Sequence, residues 1–203
     1  LSWTETVSLH YGDEDRDEFL TETMTSLFKL FAAACFGIVA CMPFVFPIMV
    51  NLKYSAAYNQ ILILMYAMLF RVLVGLYSCV YVAQKNAKKI AYTSISAAII
   101  NIAVDLILIN KIQVFAASLS TLIAFLSMFI VRYIDVNKTV HMKIRKPIII
   151  GSVLIGGMLI GTYYCGYRMI QFAALCITAV YAVLTNVDMM KSGVNLVKSR
   201  LGK

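Results

Sequence analysis

Six long apolar runs, separated by short polar segments, divide the chain after its first 26 residues. They cover about residues 27–50, 56–83, 90–109, 112–134, 147–166 and 169–187. Each is close to or above the roughly 20 residues that an α-helix needs to cross a hydrocarbon core about 30 Å thick. A membrane β-strand would be about 10 residues long and alternate in polarity. These runs are longer and apolar all round, so the pattern predicts an all-α, polytopic membrane helix bundle of six transmembrane helices. The first run contains Pro43 and Pro47, which a membrane helix tolerates where neighbouring groups satisfy the freed carbonyls.

Composition agrees with the pattern. Of 203 residues, 61% are hydrophobic and only 14% are charged, against about 45–50% and 25% in soluble domains. The net charge of +8 does not point to nucleic acid, because the positive residues sit between apolar runs, where membrane topology places them. The five cysteines all lie inside apolar runs, with no CxxC and no Cys/His cluster, so no metal site is expected. Seven of the ten acids fall in residues 1–26. That polar start, and Leu rather than Met at position 1, suggest a segment of a longer chain.

The basic residues test the division into spans. Arg16, the segments 84–89 and 132–146 and the C-terminal tail together hold 13 Lys and Arg; the intervening loops hold Lys53, Lys111 and Arg168. This alternation fits six crossings with both termini cytoplasmic. The expected organisation is an acidic cytoplasmic segment (1–26), four helices (27–134), a basic loop (135–146), a terminal helix pair (147–187) and a basic tail (188–203).

Arg71 stands out most. It lies in mid-span between Met68-Leu69-Phe70 and Val72-Leu73-Val74, where insertion costs roughly 2.5–3.5 kcal/mol. At 100° per residue, Gln60, Gly75, Ser78 and Lys85 fall on its face. That stripe predicts a cavity wall, with Leu62, Leu69 and Val80 on the opposite, lipid-facing side. Asp105 is the only acid in a span core and shares a face with Ser94, Ala98 and Asn101. The expected depth difference between Asp105 and Arg71, roughly 16 Å at 1.5 Å per residue, argues against a pair. Gly157 and Gly161 form a GxxxG suited to close helix packing. Lys29 is expected to snorkel, and Tyr163 and Tyr164 to sit in an interfacial aromatic belt. His10 and His141 lie in polar segments. There is no GxSxG, HExxH or P-loop, both histidines fall outside the spans, and no enzyme activity or cofactor is expected.

The segment 84–127 carries a family resemblance. Gln84-Lys85-Asn86-Ala87-Lys88-Lys89 leads into Asn101-Ile102-Ala103-Val104-Asp105-Leu106-Ile107-Leu108-Ile109-Asn110-Lys111, then Ala116-Ala117-Ser118-Leu119-Ser120-Thr121. This resembles the C-terminal half of bacterial polysaccharide flippases of the Wzx type, in the multidrug/oligosaccharidyl-lipid/polysaccharide exporter superfamily. The family pattern is a basic loop, then Asn-x-x-x-Asn-Leu-x-Leu-Ile-Pro, then Gly-x-x-Gly-Ala-Ala. Here Asp105 replaces the second Asn, Asn110 the Pro, and Gln113 and Ala116 the two Gly. Gly12-Asp13-Glu14-Asp15 and Tyr54-x-x-Ala57 also fit, and the likeness covers about residues 2–135. It implies most of one transporter lobe, translocating lipid-linked (polyprenyl-diphosphate) oligosaccharide across the bacterial inner membrane by alternating access. Arg71, Gln60, Ser78 and Asn101 would meet the substrate and Asp105 would be a proton- or sodium-coupling candidate. Membrane lipid and a missing N-terminal lobe or partner subunit would be the partners. A drug or cation exporter of the same superfamily, a self-contained six-helix substrate-binding subunit and a membrane scaffold are the alternatives; the single central arginine argues against the first of these.

Single cysteines placed near Lys53, Lys111 and Arg168 should react with an impermeant maleimide added outside the cell. Those near Lys88 and Lys143 should stay protected. Outside labelling beside Lys143 would break the six-span topology.

Overall fold

The computed structural model describes residues 3–201, with side chains placed for all of these except Trp3, Leu52, Met190 and 192–201. Seven α-helices form the described chain: α1 (Trp3–His10), α2 (Arg16–Met49), α3 (Ala56–Ala83), α4 (Ala87–Ile112), α5 (Val114–Val136), α6 (Lys146–Tyr163) and α7 (Arg168–Leu201), with one 3-10 turn at Leu52–Tyr54. Six helices, all but α1, are long and apolar enough to cross a membrane. The chain is thus an all-α, multi-pass membrane bundle.

Two boundaries differ from the expected ones. The acidic start is not one segment: α1 occupies Trp3–His10, and α2 begins at Arg16, eleven residues before the first apolar run. At the other end, α7 continues through the expected basic tail to Leu201. The tail side chains from 192 on lie outside the described residues.

Across the bundle the packing order is α7, α2, α3, α5, α4, with α6 against α2 and α7, and α1 against α3. This makes α3 the central helix, which corrects the expectation for its second face. Leu62, Leu69 and Val80 are buried in the core with Phe36, Val39 and Met24, not turned to lipid. Periodicity gives the two faces of α3 but not what covers each. The short α1 packs on the same helix: Val7 is fully buried, Thr4 Oγ1 lies 3.4 Å from Cys79 Sγ, and Gln84 Nε2 donates to Tyr11 Oη at 2.9 Å.

The glycines of α6 also depart from expectation. A Cβ on Gly157 or Gly161 would meet nothing, so the GxxxG pair makes no close approach. The close approach is at neighbouring Gly156, where a Cβ would stand 3.0 Å from Tyr66 Oη. That hydroxyl donates to the Gly156 carbonyl at 2.6 Å and pins α3 to α6. Tyr163 is buried, not in a belt: its ring stacks on Tyr58 at 4.4 Å and its hydroxyl donates to the Tyr58 carbonyl at 2.7 Å. Tyr164 is exposed. Between α4 and α5 the chain turns at Gln113 alone, at φ 47°. That backbone region favours glycine, and it falls at one of the two Gly positions of the flippase-like pattern.

Gly156→Val should destabilise the bundle by about 1–3 kcal/mol, because the added carbons displace the Tyr66 ring. Gly157→Val should leave stability nearly unchanged. Thermal unfolding in detergent compares the two.

Candidate functional site

The polar stripe on α3 faces α5. The two helices run parallel, and successive contacts advance together from one end to the other. Ser118 Oγ donates to Gln60 Oε1; the Arg71 guanidinium stands 5.9 Å from the Phe125 ring centroid; Arg132 Nη1 donates to Ser78 Oγ; and Tyr81 Oη donates to Asp135 Oδ2 at 2.9 Å. Antiparallel α4 closes on the other side of α5: Lys89 Nζ meets Asp135 Oδ2 at 2.7 Å, Arg132 Nε donates to Thr93 Oγ1 at 3.0 Å, and Ser120 Oγ and Asn101 Nδ2 make long contacts of 3.5 Å to Asn101 Oδ1 and Thr121 Oγ1.

Gln60 and Ser78 are therefore packing groups of the α3–α5 seam, although Gln60 Nε2 is buried with no partner. Arg71 alone of the stripe's polar groups on this helix stays open, with the Phe125 ring beside it. Among the described residues it takes part in no hydrogen bond or ion pair, with Asp105 or any other acid. Asn101 lines a cleft of about 340 Å³ between α4 and α5, with Ser94, Ala97, Ala98, Ile102, Ala124, Phe125 and Met128. Phe125 thus borders this cleft and also carries the Arg71 cation. Asp105, on the same α4 face, holds a buried Oδ1 with no hydrogen-bond partner.

Arg132 is the residue that sequence reading misplaces. Counted with the basic loop 132–146, it lies inside α5 and is 2% exposed. Removing it from the loop count leaves 12 basic residues against three, so the charge alternation survives. A guanidinium carries five N–H donors and no acceptor, and here every one is used. Nε donates to Thr93 Oγ1; Nη1 to the Val74 carbonyl at 3.0 Å and to Ser78 Oγ; Nη2 to the Ile90 carbonyl at 3.4 Å and Ser94 Oγ at 3.1 Å. All the acceptors are neutral. The nearby Asp135 is committed to Lys89 and Tyr81. The signal available in the sequence was the run of hydroxyls Ser78, Thr93 and Ser94 on the two preceding helices, which become partners only once those helices are placed.

The two histidines sit at the surface as expected, His10 Nδ1 at 2.7 Å from Asp13 and His141 Nδ1 at 3.5 Å from Asp17. Lys29 is half-buried at a helix contact, where its carbonyl accepts from Asn186 Nδ2 at 3.5 Å. No group of three or more His, Cys, Asp or Glu is placed to hold a metal among the described residues.

Arg132→Ala should cost about 2–4 kcal/mol, because it opens a cavity and strands acceptors on two helices, α3 and α4. Arg71→Ala, losing one cation–π contact at an open site, should cost less than about 1 kcal/mol. Thermal unfolding of the detergent-solubilised variants measures both; equal losses would contradict the difference in environment. Against known proteins, no family model matches the chain, and no significant match was found among curated proteins or solved structures.

Proposed function

We propose that this chain is part of one lobe of a flippase, which moves a lipid-linked, diphosphate-bearing oligosaccharide across the bacterial inner membrane by alternating access. The observation that carries the reading is Arg71: a guanidinium near the middle of a spanning helix, open, and with no acid or hydrogen-bond acceptor among the described residues. A charge at that depth persists where something compensates its insertion cost. A diphosphate headgroup does so with planar, bidentate geometry that guanidinium suits and ammonium does not.

The family resemblance over residues 2–135 supports the same assignment. A second lobe, supplied by the rest of the protein or by a partner subunit, would complete the cavity over Arg71. The described structure leaves room for it, since α4 has only one buried residue, Ala97. In this reading the protein transports and makes or breaks no bond. Asp105, with its unpartnered buried oxygen, is the candidate group for proton or sodium coupling, and Asn101 the polar contact beside it. Both termini face the cytoplasm, in keeping with the charge alternation.

In a bacterial strain lacking its own flippase, Arg71→Ala should abolish surface-polysaccharide export while the protein still reaches the membrane. Arg71→Lys should keep partial activity and Arg71→Glu none. Complementation with membrane abundance checked by blot is the measurement. Normal export by Arg71→Ala at normal abundance would refute the role.

A further inference from the structure

We propose that the groove beside α6 binds one phospholipid from the leaflet next to the basic loop. An acyl chain lies against the aromatic lining, and an anionic headgroup meets Lys143 and Lys146. Such a site is independent of Arg71 and of transport.

α6 packs against α2 and α7 and leaves a groove of about 460 Å³ on its side towards α3 and α5. Phe28 and Phe36 from α2, Tyr66 and Phe70 from α3, and Phe129 from α5 line it with Gly157 of α6. The α6 residues Val153, Gly157 and Ile160 are exposed, so the groove is open to lipid. Its two hydroxyls are already committed. Tyr66 donates to the Gly156 carbonyl at 2.6 Å, and Ser152 and Tyr181 bond each other at 2.8 Å. A sugar or phosphate would find no partner here, and an unpaired polar group is costly to bury; a hydrocarbon chain loses nothing. Size separates a chain from a helix. The volume is about that of one helical turn, 5.4 Å of a cylinder about 10–12 Å across, too little to take a spanning helix of a second lobe. From Ile149 to Ile160 the groove follows α6 for about 16 Å, roughly half of a hydrocarbon core about 30 Å thick. That is the depth of the chains of one leaflet. It also gives Gly157 a use: a Cβ there would meet nothing, because the space beside it is the groove.

The loop at the end of the groove selects the headgroup. Ile144 lines the groove, and the residues around it alternate: Met142 is buried and Ile144 half-buried, while Lys143 and Arg145 are exposed. The loop thus turns its apolar side chains into the bundle and its basic ones away from it, at the level where headgroups lie. Lys146, also exposed, follows at the first turn of α6. Glu22 answers Arg145 at 2.9 Å, whereas Lys143 and Lys146 meet no acid among the described residues. Two uncompensated cations therefore stand at the mouth of an apolar groove one leaflet deep. Basic residues at that level attract anionic headgroups. A zwitterionic headgroup brings a cation of its own and forgoes most of that attraction.

The test uses the full chain in dodecyl maltoside, an uncharged detergent, titrated with dioleoyl phosphatidylglycerol or dioleoyl phosphatidylcholine, which carry the same acyl chains. Lipid retained in native mass spectrometry and the shift in Tm are the readouts. Phosphatidylglycerol should bind and raise Tm, and phosphatidylcholine should bind about thirtyfold more weakly, the effect of two cations at about 1 kcal/mol each. The double substitution Lys143→Gln, Lys146→Gln should bring phosphatidylglycerol down to the phosphatidylcholine level and leave the latter unchanged. Gly157→Phe and Val153→Trp, which fill the groove, should each abolish binding of both lipids while the Tm without lipid stays at or above the parent value. Equal binding of the two lipids by the unsubstituted chain, or undiminished phosphatidylglycerol binding by the double Gln variant, would overturn the headgroup site. Parent-like binding in either groove variant would place the chain elsewhere and overturn the proposal. So would a sharply lowered Tm without lipid in both, since the groove would then not be open space. None of these outcomes bears on Arg71, whose role is read from polysaccharide export.

Discussion

The hydrocarbon core of a bilayer offers no water to a polar group, so each donor brought into it needs a protein acceptor. Arg132 brings five, and the arrangement of α3, α4 and α5 follows from meeting them. Two come from α3 (the Val74 carbonyl and Ser78) and three from α4 (the Ile90 carbonyl, Thr93 and Ser94). A sliding of α3 or α4 by one residue, about 1.5 Å, breaks several of these bonds together. The guanidinium fork is rigid and planar, so it fixes the register of three helices as a flexible ammonium would not. Just beyond it, the Lys89–Asp135–Tyr81 contact closes the same end of the bundle.

With that end fixed, the remainder of the seam follows from side-chain size. Small groups on α5 (Ala116, Ser118, Ser120, Ala124) let it approach α3 and α4 closely. Gln60 then reaches Ser118 at the far end of the same seam. The opposite face of α3 buries Leu62, Leu69 and Val80 towards α2, and Tyr66 ties the helix to Gly156 of α6. So α3 has almost no face left for lipid. Arg71 is open because it lies where Phe125, a flat ring, covers the helix instead of a hydrogen-bond acceptor.

The number and order of spans were legible because long apolar runs have few other uses, and the alternation of basic loops cross-checks them. The polar stripe on α3 was legible too, since 100° per residue places Gln60, Arg71 and Ser78 together whatever surrounds the helix. What periodicity does not carry is the neighbour. It predicted a cavity wall where Gln60 and Ser78 in fact meet a parallel helix, and a lipid face where Leu62, Leu69 and Val80 meet α2. The close glycine contact was displaced by one residue, from Gly157 to Gly156, because a GxxxG names spacing and not the side chain that will fill it. Arg132 was hidden by its place near the end of a span, where a basic residue reads as part of the loop.

The two arginines show how a charge in a membrane helix divides between structure and function. Flanking residues make Arg71 conspicuous and Arg132 ordinary, and by insertion cost alone Arg71 is the more expensive. The partner inventory reverses the ranking. Arg132 has every donor satisfied, so its removal damages the fold; Arg71 has none satisfied, so little in the bundle depends on it. A residue that costs much to insert and holds nothing together is kept, if it is kept, for what lies outside the described fold. That is why the open guanidinium, rather than the buried one, is the place to look for a ligand.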